Sequence, residues 1–154
     1  MTESWTADLP AARLLRWTAV LYAVAWAIHT GDHIRRGTGV VTVEVSTLGS
    51  IAAVLQLLVV GSVLLRWRWA PLAAAAIGFP DAVGIAAVHL LPHWSAFSDA
   101  FPGARGTGVT AFSWCAAILE VTSALLFALA GTHAWRRAQA LGAPGSPRSS
   151  TGGC

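Results

Sequence analysis

The sequence predicts an all-α integral membrane protein, folded as a compact antiparallel bundle of four transmembrane helices. The first reason is composition: 55% of the 154 residues are hydrophobic, 11% are charged, and the mean hydropathy is +0.61. A soluble domain carries about a quarter charged residues, so this chain cannot cover a water-facing surface. The second reason is that the apolar residues fall into four runs, and a helix of about 20 apolar residues crosses a bilayer. We therefore expect a multi-pass protein of the cell membrane whose principal partner is the lipid bilayer.

The first of the four helices has the weakest pattern. Residues 17–28 form an uncharged, mainly apolar run behind Arg13 and Arg16, an arrangement that also resembles a signal peptide. The polar positions that follow continue the helical pattern, and arginine side chains near a helix end can extend towards the interface. These features favour a retained transmembrane helix. The four predicted helices cover approximately residues 12–34, 45–66, 69–91 and 109–136.

The other three helices have clearer signals. Residues 47–65 contain no charge, and Gln56 is their most polar residue. The third helix carries Pro71 where a first helical turn tolerates proline, and it contains Asp81. The fourth helix contains Glu120. Small residues, among them Gly61, Gly78 and Gly84, predict close packing between the helices.

The arginines predict the orientation of the bundle, since the chain contains no lysine. Cytoplasmic loops carry an excess of positive charge. Seven arginines flank the side that holds both termini and three flank the other side, so both termini are expected in the cytoplasm. The first set is Arg13, Arg16, Arg66, Arg68, Arg136, Arg137 and Arg148; the second is Arg35, Arg36 and Arg105.

Composition also sets the limits of the domain. Residues 1–141 form the predicted transmembrane domain, and residues 142–154 form a tail too poor in apolar groups to order itself. The sequence pI of 9.7 does not indicate a nucleic-acid partner, because the arginines flank apolar runs and serve orientation instead. We expect no nucleic acid among the partners.

Four of the five histidines fall at the outer end of the predicted bundle. His29, Asp32 and His33 stand at i, i+3 and i+4, so they share one helix face, and His89 and His93 are again four residues apart. Imidazole and carboxylate are ligands for zinc, iron and copper. These five residues are the predicted metal ligands. Haem is a variant, with two histidines of opposing helices as its axial ligands.

Two observations weaken this metal site and leave an alternative open. Pro92 disfavours a helical conformation at Leu91 and so affects the direction of His93. Glu44 is a further candidate oxygen ligand at this end. Helix ends also touch water, however, so polar residues are expected there in any membrane protein. The alternative is that these side chains are ordinary interfacial residues.

Two carboxyl groups lie deeper in the predicted bundle. At 1.5 Å per residue, Asp81 and Glu120 are each about 16 Å from the start of their helices, close to the bilayer midplane. Gln56 and Tyr22 fall near the same depth. Ionisable residues inside a membrane usually face the bundle interior and mark functional sites, and two adjacent acids can act as general acid and base. The alternative is that both acids are protonated and join helices by hydrogen bonds.

These observations lead to three hypotheses for the function. The first is a small metal-binding membrane protein, in its specific form a membrane-embedded metalloenzyme that acts on a lipophilic small molecule. The second is a metal-free isomerase or cyclase that uses Asp81 and Glu120 as acid and base. The third is a non-catalytic subunit of a homo-oligomer or of a larger membrane complex, docked through its small-residue faces.

Overall fold

A computed structural model describes residues 5–104 and 107–142, and within them the secondary structure is entirely helical. Four helices are long and apolar enough to cross a membrane, which confirms this part of the predicted fold class. Two short 3₁₀ helices, Trp5–Ala7 and Thr38–Val40, precede the first and second of them. The main helices are α1 (Leu9–Arg36), α2 (Val43–Leu64), α3 (Ala70–Ile85) and α4 (Ala111–Gly142).

The helix ends differ from the predicted ones for local reasons. α1 begins earlier than predicted because the Asp8 side chain accepts a hydrogen bond from the Ala11 amide, and Pro10 occupies the first turn. α4 continues past Arg136 and includes Gly142, the first residue of the predicted tail. The rest of that tail, residues 143–154, lies outside the described residues.

α3 ends in a π-helical turn, Ala86–Leu90. Leu91 then adopts an extended conformation, with φ −85° and ψ 154°, as expected for the residue before Pro92. Because π-helical turns widen the helix and redirect side chains, they are often found at functional sites. This one contains His89.

Contacts at the two ends of the bundle show that the helices run in alternating directions. At one end, the Trp5 indole donates a hydrogen bond to the Trp67 carbonyl at 2.8 Å. The rings of Trp69 and Trp135 stack there, with their centroids 5.7 Å apart. This end holds the start of α1, the α2–α3 turn and the end of α4. At the other end, Arg36 donates to the Thr107 carbonyl, which joins the end of α1 to the segment that leads into α4.

α3 and α4 approach each other most closely at two glycines. A Cβ atom added at Gly131 would lie 2.5 Å from the Pro71 carbonyl oxygen, and one added at Gly78 would lie 2.7 Å from the Ala124 carbonyl oxygen. The close packing expected at Gly78 is therefore present. Gly61 and Gly84 face open space, because a Cβ at either would have no neighbour within 4 Å. Gly131 is a packing glycine that the sequence did not single out.

Gly131→Ala is expected to lower the free energy of unfolding by about 1–3 kcal/mol, because the methyl group forces the α3 and α4 backbones apart. Gly61→Ala is the matched control. It is expected to be neutral or to stabilise the helix by up to about 1 kcal/mol, since alanine is the better helix former. Both values can be measured by denaturant titration in detergent micelles, followed by circular dichroism. Equal effects of the two substitutions would contradict the close approach at Gly131.

Candidate metal centre and its cavity

Three imidazole rings meet at one end of the bundle. His29 and His33 come from successive turns of α1, and His89 comes from the π-helical turn after α3. One ring nitrogen of each residue lies within 4.8 Å of the others, and Nε2 of His29 is 2.9 Å from Nε2 of His33. The ring centroids are 4.7 to 5.3 Å apart. We call these three residues the histidine cluster.

The loop between α3 and α4 covers the histidine cluster. Two of its amides bind the π-helical turn: Asp99 donates to the Val88 carbonyl and Phe101 donates to the His89 carbonyl. The Phe101 ring packs on the His89 ring, with the two ring centroids 4.7 Å apart. His89 is therefore buried, although it lies at the end of its helix.

Carboxylates lie near all three rings, and the longest of these distances is 3.9 Å, from Nδ1 of His33 to Oδ2 of Asp99. Nδ1 of His29 is 2.8 Å from Oε2 of Glu120, although it has no aligned hydrogen-bond partner. Nδ1 of His89 is 3.1 Å from the backbone oxygen of Asp99 and 3.4 Å from its carboxylate. In both residues Nδ1 faces an oxygen. Nε2 is therefore the ring nitrogen that remains for binding an ion.

Arg36 holds the Asp99 carboxylate in place. Its guanidinium donates two hydrogen bonds, of 2.6 and 2.7 Å, to the two carboxylate oxygens, and both side chains are buried. Burial by itself raises the pKa of Asp99, but the hydrogen bonds from His89 and Arg36 outweigh it and hold that pKa below its usual range. Asp99 is therefore ionised at neutral pH.

The other predicted ligands lie outside the histidine cluster. Asp32 is buried, but its Oδ1 accepts hydrogen bonds of 2.8 and 3.0 Å from Arg35. His93 follows Pro92 on an exposed segment, and Glu44 is exposed in the first turn of α2. Of the five predicted metal ligands, the structure brings together His29, His33 and His89.

Asp81 and Glu120 have separate partners. The Tyr22 hydroxyl donates to Oδ2 of Asp81 at 2.7 Å, and the Gln56 amide donates to Oδ1 at 2.5 Å. Glu120 instead contacts His29. The two predicted acid/base residues are therefore connected to different groups, one to a tyrosine and an amide and the other to the histidine cluster. The sequence places Tyr22 and Gln56 near the depth of Asp81, but it does not reveal this pairing.

A cavity of about 550 Å³ connects these features. It lies between α1, α2 and α3, and most of its wall is apolar. All three histidines of the cluster line it, as do Asp81, Glu120 and Gln56. Gln56 is 4% exposed, and its Oε1 atom has no hydrogen-bond partner among the described residues. One internal space is thus bordered by candidate metal ligands, two carboxyl groups and an unsatisfied acceptor.

A scan of the chain against protein-family models finds no match, and searches among curated proteins and among solved structures find no similar chain.

Proposed function

We propose that this chain is a multi-pass membrane protein that binds one transition-metal ion through His29, His33 and His89. The observation that carries the proposal is the convergence of three imidazole nitrogens within 4.8 Å of one another. Neutral imidazole suits zinc, copper and iron. Following the arginine asymmetry of the sequence, we propose that the site lies at the extracytoplasmic end of the bundle.

The neighbouring carboxylates support a metal site. Histidine ligands usually face a carboxylate or a carbonyl through their second nitrogen, which fixes the ring orientation and raises the basicity of the ligand. Glu120 stands in this relation to His29, and Asp99 to His89. The Glu120 carboxylate would also offset part of the charge of a divalent cation, whereas the charge of Asp99 is already balanced by Arg36.

The number of ligands and the adjoining cavity favour a catalytic role over a purely structural one. Structural zinc sites usually have four protein ligands, whereas catalytic sites have three and keep a position for water or substrate. A bound ion would supply Lewis acidity or an activated water molecule at the cavity wall. We therefore propose a membrane-embedded metalloenzyme that acts on a lipophilic substrate.

The geometry favours a bare ion over haem. A haem with two axial histidines needs them on opposite faces of a wide, flat ring system. Here the three imidazole rings contact one another, with centroids no more than 5.3 Å apart. This spacing suits several ligands on one side of a small ion.

The proposal is tested by elemental analysis of detergent-purified protein after exposure to zinc, iron and copper salts. We expect about one ion per chain, and X-ray absorption should detect imidazole ligands. Glu120→Gln should lower the metal affinity by about 10–100-fold, because it weakens the support of His29. Asp81→Asn is the matched comparison and should lower the affinity less than Glu120→Gln, since the hydrogen bonds of Asp81 go to Tyr22 and Gln56 and not to the histidine cluster. Absence of bound metal after all three challenges would refute the proposal.

A metal-free acid/base enzyme is the second candidate, and the bonding of Asp81 favours it. Both oxygens of this carboxylate accept hydrogen bonds inside the cavity, so its position is fixed. Such an enzyme would lose activity in Asp81→Asn while containing no metal. The content of metal in the active wild-type protein therefore separates the two candidates.

A further inference from the structure

We infer that the cavity binds a lipid-soluble alcohol, whose hydroxyl group donates a hydrogen bond to Oε1 of Gln56. The inference deepens the proposed function and rests on it in one respect: the alcohol is a substrate only if the histidine cluster holds a metal. Binding of the alcohol itself depends on the cavity and on Gln56.

Gln56 requires a hydrogen-bond donor that the described protein residues do not supply. Its Nε2 donates to Asp81, so its Oε1 is the remaining acceptor; this atom is buried without a partner among the described residues, and Gln56 is one of the residues that line the cavity. A buried acceptor that is left unpaired destabilises the folded protein. A ligand that donates to Oε1 would remove this penalty on binding.

The surroundings of Gln56 select a donor and reject an acceptor. The two oxygens of Asp81 already accept hydrogen bonds from Tyr22 and Gln56. Together with Oε1 of Gln56 they form a group of oxygens at one level of the cavity. A hydroxyl complements such a group, whereas an ether has no hydrogen to donate and an ionised carboxylate can only accept hydrogen bonds.

The walls of the cavity predict an apolar body for the ligand. The buried residues of α2 are Gln56, Val60, Ser62 and Val63, so residues 43–55 contribute none. The cavity extends along this loosely packed half of α2, where its wall includes Val45, Leu48 and Ala52. In a bilayer these residues would lie among lipid chains, and the ligand would reach the cavity from the membrane. The volume of about 550 Å³ falls within the usual range for small-molecule sites.

The distance between Gln56 and the histidine cluster sets a minimum length for a substrate. Asp81, which is hydrogen-bonded to Gln56, lies eight residues before His89 along α3 and its π-helical turn. At 1.5 Å per residue this is about 12 Å along the helix axis. An alcohol bound at Gln56 must extend about this far to bring another part of the molecule to the histidine cluster.

The test uses the full-length protein in lipid nanodiscs and a photoreactive probe, dodecan-1-ol with a diazirine in the middle of its chain. Labelled residues are identified by mass spectrometry. Unlabelled dodecan-1-ol and its methyl ether are the competitors, since they have similar apolar bodies but only the alcohol donates a hydrogen bond. Gly84→Leu is designed to fill the cavity, because Gly84 lines it and faces open space. Gly61→Leu is the matched control, since Gly61 also faces open space but is absent from the cavity wall.

We expect saturable labelling of cavity residues such as Trp26, Ala52 and Ile77. The alcohol should compete at least about tenfold better than the ether, and Gly84→Leu should reduce the labelling at least about tenfold while Gly61→Leu retains it. Equal competition by the ether, or labelling confined to exposed residues of α4 such as Leu129, would overturn the inference.

Metal content is measured on the same nanodisc samples, so the two proposals fail separately. Saturable, alcohol-selective labelling of a metal-free protein would support the cavity site and refute the metal proposal. Stoichiometric metal without alcohol-selective labelling would refute the cavity site and leave the metal proposal standing.

Discussion

His33→Ala is expected to weaken metal binding about a hundredfold, whereas His93→Ala is expected to leave it unchanged. His33 contributes one of the three clustered nitrogens, and its Nε2 lies 2.9 Å from that of His29. Zinc bound by four protein ligands gains about 10–16 kcal/mol, so one ligand accounts for roughly 3 kcal/mol, or about a hundredfold in affinity. The measurement is a competition titration in detergent against a chromophoric chelator.

The two variants form a matched pair, because both histidines lie near the same end of the bundle. The His33 side chain is 29% exposed, so its removal leaves most of the core packing in place. His93 lies outside the histidine cluster and is exposed. Thermal unfolding of the metal-free variants provides the folding control. If both variants bound metal equally well, the ion would not be held by the histidine cluster.

Arg36→Gln is expected to lower the free energy of unfolding by about 3–5 kcal/mol. The substitution leaves the buried Asp99 carboxylate without the guanidinium that binds both of its oxygens. It also removes the cation that lies 5.3 Å from the centre of the Phe101 ring. Denaturant titration in micelles measures the change. Arg137→Gln is the control and should cost less than about 1 kcal/mol, because Arg137 is exposed and lies 3.7 Å from Asp8.

A double variant separates the stability of the loop from its effect on metal binding. Arg36→Met combined with Asp99→Leu replaces the buried ion pair with apolar side chains, which usually restores stability. The same double variant removes the carboxylate beside His89 and should therefore still bind metal more weakly than the wild type. If Arg36→Gln costs no more than Arg137→Gln, the buried pair does not fasten the loop.

The four helices could be predicted from the sequence because hydrophobic length alone defines a membrane-spanning helix. Their ends were less accurate. The start of α1 depends on the side-chain cap from Asp8, and α4 continues past Arg136 because a helix does not have to stop where the apolar run stops. The packing at Gly131 was missed because composition does not reveal which glycine faces a neighbouring backbone.

The site was predicted in part, because a sequence gives the depth of a residue but not the direction of its side chain in the bundle. The sequence places His29 at the outer end of the bundle and Glu120 near the bilayer midplane. His29 lies seven residues before the end of α1, and Glu120 lies nine residues after the start of α4, so their depths are about 10 and 13 Å. This near agreement allows their contact. It was hidden by the predicted helix ends, residues 34 and 109, which put the two depths at about 8 and 16 Å.

The role of Asp99 could not be derived from the sequence. It lies in the loop after α3, where no periodicity indicates which way a side chain points. Its position depends on the pairing with Arg36 and on the amide contacts with Val88 and His89, all of which join distant parts of the chain.

The π-helical turn Ala86–Leu90 has a consequence for how this chain should be compared with others. Each π-helical turn holds about one residue more than an α-helical turn, so it behaves as a single-residue insertion in an otherwise regular helix. A homologue without that residue would present the position of His89 rotated by about 100° around the helix axis. A one-residue gap between Ala86 and Leu90 in a sequence alignment would therefore mark homologues that keep the four helices but have lost the third histidine from the cluster.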